Sequence, residues 1–154
     1  MSFTQVGITL GPNEGKTVPV PGHPITIKAR KEDTGGAYAL LEAVLTGDGP
    51  PQHVHQSEEE AFYLLEGELN VLIGEDTHRV TPGSFVLVPR GTPHAFWNAT
   101  TMPAKLLVLF SPGGFEEYFV ETVGDEQIDT ATFIQRGLAI ADRYNLEILG
   151  PPLG

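Results

Sequence analysis

The chain has no cysteine among its 154 residues. Disulfides and thiolate metal sites are therefore excluded, and any metal must be held by nitrogen and oxygen donors. Positive charge is also scarce: nine Lys and Arg stand against twenty Asp and Glu, for a formal net charge of −11. A nucleic-acid partner needs a basic patch to neutralise phosphates, and scattered cations do not form one. The same acidity argues against an anionic membrane surface. No stretch approaches the ~20 apolar residues that span a bilayer. Met1 to Gln5 carry neither a basic segment nor a long apolar run, so no signal peptide is expected and the expected location is cytoplasmic. These exclusions leave a small molecule as the expected partner.

Turn formers, by contrast, are abundant, with 18 Gly and 13 Pro. Such punctuation suits many short strands in one domain with a full core. Residues 25–30 alternate apolar and polar, as a half-buried strand should. Residues 37–46 are apolar on both faces and need cover on both sides. A second subunit or the C-terminal segment could provide that cover, and a homodimer is expected. Further strands are predicted at 52–55, 60–65, 68–73, 77–81, 84–88, 93–98 and 104–110, each bounded by turn residues. From about Gly114 to Leu146 the spacing becomes helical: Phe115, Phe119 and Val123, then Ile134, Leu138, Ala141 and Tyr144. Asp129 and Thr130 are candidate caps. The expected architecture is one all-β domain over residues 1–154, a sandwich or barrel. Its core spans about 25–112, with two helices packed outside it over about 113–148.

The chemistry concentrates in a few residues. His53, His55 and Glu60 lie within eight residues, and His94 follows on a later hairpin. His53 and His55 share one face of a strand, because strand side chains alternate with period two. A third ligand after a short turn and a fourth on another strand can converge on the same point. Three neutral imidazoles and a carboxylate suit one divalent transition metal: Mn, Fe, Co, Ni, Cu or Zn.

The spacing is specific. One motif runs from Gly47 through His53-Val54-His55 and Glu60 to Gly67, and a second from Gly83 through Pro89-Arg90-Gly91 and His94 to Asn98. Together they resemble both signature motifs of the cupin superfamily. That resemblance implies a double-stranded β-helix, or jelly-roll β-barrel, with a metal held by His53, His55, Glu60 and His94. Glu58 and Glu59 are rivals for the acid. Glu60 alone keeps the seven-residue step from His53 and the six-residue gap to Gly67. The stretches Leu109 to Glu116 and Tyr144 to Pro152 are similar to single-domain bacterial cupins of the quercetin-dioxygenase-like subgroup.

The resemblance implies a metal-dependent dioxygenase-type oxidoreductase acting on a small enolisable or phenolic, flavonol-like substrate. Glu60 would be the catalytic proton acceptor. A non-redox cupin enzyme (isomerase, decarboxylase or hydrolase) and a non-catalytic small-molecule-binding cupin are the alternatives, since fold does not fix function. Phe62 and Phe96 share strand parity with Glu60 and His94, which makes them candidates for pocket lining or for ordinary core. His23 and His78 match no motif position and are expected to be solvated. Arg90 at a turn apex is expected to be solvated, and Asn98 to shape its turn.

Overall fold

The computed structural model describes residues 6–152. Met1 to Gln5, from which the absence of a signal peptide was read, lie outside the described residues. Two antiparallel sheets make up the body. One holds β1 (Lys16–Val18), β2 (Ile25–Ala29), β3 (Ala39–Leu45), β10 (Ala104–Ser111), β5 (Glu59–Glu66) and β8 (Phe85–Val88), in that spatial order. The other holds β11 (Leu146–Pro152), β4 (Pro51–His55), β9 (His94–Asn98), β6 (Leu69–Ile73) and β7 (Asp76–Val80). This is the jelly-roll sandwich that the strand series and motifs imply.

Alternation sets the core. β3 and β10 pair antiparallel, with Leu41 opposite Val108 and Ala43 opposite Leu106. Both strands bury every second residue, which is the period-two pattern of a sheet packed on one face. Leu41, Leu45, Leu64, Leu69, Leu106 and Phe110 are almost fully buried between the sheets. Each such side chain contributes about 1.5–3 kcal/mol. The outer positions of β3 (Leu40, Glu42 and Val44) are half-buried.

The C-terminal segment forms α1 (Glu116–Val123), α2 (Thr130–Ile140), a 3-10 turn over Ala141–Tyr144, and β11. Asp129 caps α2, its carboxylate accepting from the Thr132 amide at 2.8 Å. The predicted apolar stripes hold at Phe115, Val123 and Ala141, all buried, but fail at Leu138. Leu138 is 55 % exposed, whereas Gly137 is buried. A Cβ at Gly137 would lie 2.2 Å from the Tyr118 hydroxyl, so α2 approaches α1 through a residue that no hydrophobic pattern marks. The helical spacing was expected to reach Leu146, but it stops at Asn145, which has φ 52°. Asparagine tolerates this left-handed conformation and ends helices with it. The following strand was not anticipated. β11 pairs with β4, placing Leu146 opposite His55 and Ile148 opposite His53.

Candidate metal centre

The cluster bridges the two sheets. His53 and His55 lie on β4 and His94 on β9, with His53 directly opposite His94. Glu60 comes from β5 in the other sheet, where it pairs with Val88 and Phe110. Glycine permits the close approach of β4 to β9. A Cβ at Gly49 would fall 1.6 Å from the Phe96 carbonyl oxygen. Gly67, in the turn after β5, has φ 79°, and a Cβ there would meet Pro103 O and Ala104 Cα at 2.7 Å. The motif glycine Gly47 has open space around it; Gly49 is the position where only hydrogen fits.

All four side chains are buried, and one ligand atom from each lies within 4.8 Å of the others. His53 Nδ1 donates to the Pro51 carbonyl at 2.6 Å, and His94 Nδ1 to the Thr92 carbonyl at 2.9 Å. Anchoring Nδ1 in this way leaves Nε2 to face a metal. His94 Nε2 donates to Glu60 Oε1 at 2.7 Å, and His55 Nε2 lies 3.7 Å from the same oxygen. On its other side His55 Nδ1 faces Glu58 Oε1 at 3.7 Å; neither atom has a closer partner. Aromatic edges hold the His55 ring, with Phe115 at 4.4 Å and Phe110 at 5.3 Å between centroids.

Burial dominates the electrostatics. It lowers the His53 pKa to about 3, with help from the His94 charge. It also lowers His55 well below the ordinary histidine value. Burial acts to lower His94 too, but the hydrogen bond and charge of Glu60 outweigh it and the pKa is raised. Glu58 is pushed up to about 7 by burial and by Glu60. His53 and His55, kept neutral by burial, with His94 and Glu60 beside them fit a divalent transition metal once the proton between His94 Nε2 and Glu60 is lost.

The cluster opens into an apolar cavity. Phe96, Phe110, Phe115, Phe119 and Phe133 line it, along with Ile25, Leu41 and Val108. Helices α1 and α2 supply the wall opposite the barrel, and β11 extends the histidine-bearing sheet beside β4. Among the described residues no lysine or arginine lines it. A buried carboxylate, Glu116, fastens α1 in place by accepting the amides of Lys31 and Gly114 at 2.8 and 2.6 Å.

The other residues singled out from the sequence take distinct places. Phe96 lines the cavity. Phe62 does not; it is buried behind Phe96, edge-on at 4.9 Å. His78 is exposed. Arg90 is exposed but engaged, donating to the Ser57 and Ser111 carbonyls at 3.0 and 3.2 Å. Asn98 shapes its turn by donating to the Leu45 and Met102 carbonyls and accepting from the Thr100 amide. His23 departs from expectation: it is only 8 % exposed and lines the cavity. Burial lowers its pKa to about 4, partly offset by the Pro21 backbone. Its sequence context, Pro21-Gly22-His23-Pro24, reads as a surface turn, and α2 covers that turn only in the folded chain.

Residues 40–110 match the cupin domain family, and the chain belongs to the cupin superfamily. It is 30 % identical over 100 residues to quercetin 2,3-dioxygenase of Bacillus subtilis (strain 168), covering 64 % of this chain and 29 % of that enzyme. Its fold is similar to an RmlC-like cupin from Shewanella frigidimarina, with a TM-score of 0.62 at 17 % identity over 75 % of this chain and 99 % of that one. It is also similar to the polyketide cyclase RemF from Streptomyces resistomycificus, with a TM-score of 0.60 at 24 % identity over 69 % and 80 % of the two chains. Among the described residues no helix is long and apolar enough to cross a membrane.

Proposed function

We propose that His53, His55, Glu60 and His94 hold one divalent transition metal. On this reading the protein is a dioxygenase-type oxidoreductase acting on a small enolisable or phenolic, flavonol-like molecule. The observation that carries the reading is the buried three-histidine, one-carboxylate cluster at the end of an aromatic cavity. The stretch of identity with quercetin 2,3-dioxygenase supports the substrate chemistry. When bound, the metal would supply Lewis acidity toward a substrate hydroxyl and, if redox-active, an electron-exchange centre for dioxygen. Glu60 is the one carboxylate among the four and is buried beside the cavity, so it accepts the hydroxyl proton. The Pro51 and Thr92 carbonyls fix the His53 and His94 rings, so the donors need no rearrangement. The phenylalanine wall excludes water and takes the substrate ring.

The reading is tested by metal content and oxygen uptake. Protein purified without a metal-binding tag should carry about one equivalent of a redox-active metal and consume dioxygen with quercetin. The Glu60→Gln variant should lose about 10²–10⁴-fold in rate. A metal-loaded protein that takes up no oxygen with any flavonol would overturn the oxygenase and leave an isomerase, decarboxylase, hydrolase or binding module.

A homodimer also belongs to this reading. On the outer face of the six-stranded sheet Tyr63 and Phe85 stand opposite one another, as do Ala61 and Leu87. Phe85 is 65 % and Leu87 47 % exposed, and apolar patches of this kind mark association surfaces. Light scattering on the wild type and on Phe85→Lys should show a dimer and a monomer, respectively; a wild-type monomer would overturn it.

A further inference from the structure

His23 sits in the turn before β2, closed by its own amide donating to the Val20 carbonyl at 3.2 Å. The turn lies under α2, and the imidazole meets Phe133 edge-on at 6.2 Å between centroids. His23 Nδ1 is buried without a well-formed hydrogen bond, although the Pro21 backbone acts on the imidazole, and such a weakly paired polar atom removed from water is costly. The residue lines the same cavity as His53, His55 and Glu60 but is not one of the four converging ligands. It also lines an adjoining pocket that shares Pro50, Pro51 and Phe133 with the cavity. His23 therefore stands where the two pockets meet. Apart from the ligand cluster, the remaining described lining is apolar or aromatic.

We propose that His23 is a specificity-determining residue of this cavity: its imidazole hydrogen-bonds a hydroxyl or carbonyl oxygen of an uncharged aromatic substrate whose ring lies among Phe96, Phe119 and Phe133. This rests on the cluster's being the reaction site and names the chemistry of what that site admits. A neutral imidazole offers one donor and one acceptor, so it pairs with a hydroxyl in either sense. It does not neutralise a phosphate, sulfate or carboxylate. No lysine or arginine among the described lining does so either, so away from the metal the cavity favours an uncharged group. A pocket that must satisfy a buried polar group discriminates strongly against a ligand that leaves it unpaired.

The test uses zinc-loaded protein, which binds without turnover. Zinc affinity is measured first, in the wild type, His23→Phe and His23→Asn, and should be the same in all three. Quercetin should bind the wild type, and His23→Phe should weaken it by roughly ten- to hundredfold. His23→Asn should restore part of the loss. In the wild type, quercetin should shift the His23 ring nitrogen signals in ¹⁵N NMR, a readout that needs no variant to fold. Equal quercetin affinity in His23→Phe, absence of quercetin binding by zinc-loaded wild type, or unmoved His23 signals at saturation would each overturn the inference. Failure of the wild type to take up zinc, with His23-dependent quercetin binding intact, would sink the metal reading and leave this one standing.

Discussion

One wall of the cavity comes from the barrel strands, where β4, β5 and β9 carry the imidazoles and the carboxylate; the other comes from α1, α2 and the turn at Pro21–Pro24 and carries mostly rings. The first wall is rigid by construction. Its side chains project from paired strands, and two of its three imidazoles are anchored to backbone carbonyls of their own chain segments. The second wall is assembled from distant segments. Tyr118 meets Gly137, Glu116 reaches the amide of Lys31, and Phe133 meets His23. A fixed wall suits a metal, whose bonds tolerate little displacement. A wall of helices suits a substrate, because its shape can differ between relatives while the barrel stays the same.

Perturbing each wall in turn should separate metal binding from substrate binding. The largest effect is expected from His53→Ala. It removes one of four donors, and bound metal should fall from about one equivalent to a trace by elemental analysis while the fold, read by circular dichroism, persists. Retention of a full equivalent would break the assignment of β4 to the metal wall. Next is Gly49→Ala, whose methyl carbon would sit 1.6 Å from the Phe96 carbonyl oxygen. The backbone must move, so a loss of roughly 3 kcal/mol or more is expected in urea unfolding, with weaker metal binding as β4 and β9 separate. Gly137→Val tests the other wall. It should displace Tyr118, cost about 1–3 kcal/mol, and weaken quercetin binding while leaving zinc affinity within about threefold.

The smallest effect concerns acid stability. Burial lowers His23 to about 4 and His53 to about 3 in the folded chain, whereas an unfolded histidine titrates near 6.5. Between those values the unfolded chain binds more protons, so stability falls as the pH drops from 6.5 toward 4. The contribution is fully present above 6.5. In the metal-free protein His23→Phe should reduce that slope by up to about 1.4 kcal/mol per pH unit. Chemical denaturation at pH 7, 6 and 5 checks it. An unchanged slope would mean that His23 is not held neutral in the folded state.

The two walls also differed in legibility. The strands of the barrel could be read because β3, β5 and β10 alternate with period two and glycines or prolines punctuate their ends. The ligands could be read because His53 and His55 are two apart on one strand and His94 lies in a second motif at fixed spacing. The cover was read as helical and most of its packing face was legible, but one turn of α2 was misjudged. Glycine leaves no hydrophobic signature, so the burial of Gly137 and the exposure of Leu138 were invisible. β11 was missed because Asn145 ends the helix by adopting a left-handed backbone, and the short run after it alternates too briefly to declare a strand.

Local chemistry therefore determined the barrel, the turn at Asn98 and the four side chains that converge, since each depends on residue type at short range or on a fixed period along a strand. Tertiary structure alone decided that Gly49 must be glycine, that Phe62 backs Phe96 and does not line the cavity, and that His23 is buried beneath α2 with an unpaired nitrogen. Those facts depend on which surfaces meet between segments far apart in the chain, Gly49 and Phe62 with Phe96 and His23 with Phe133. Burial, which sets the charge of a histidine and the cost of leaving it unpaired, is a property of that meeting and has no period in the sequence.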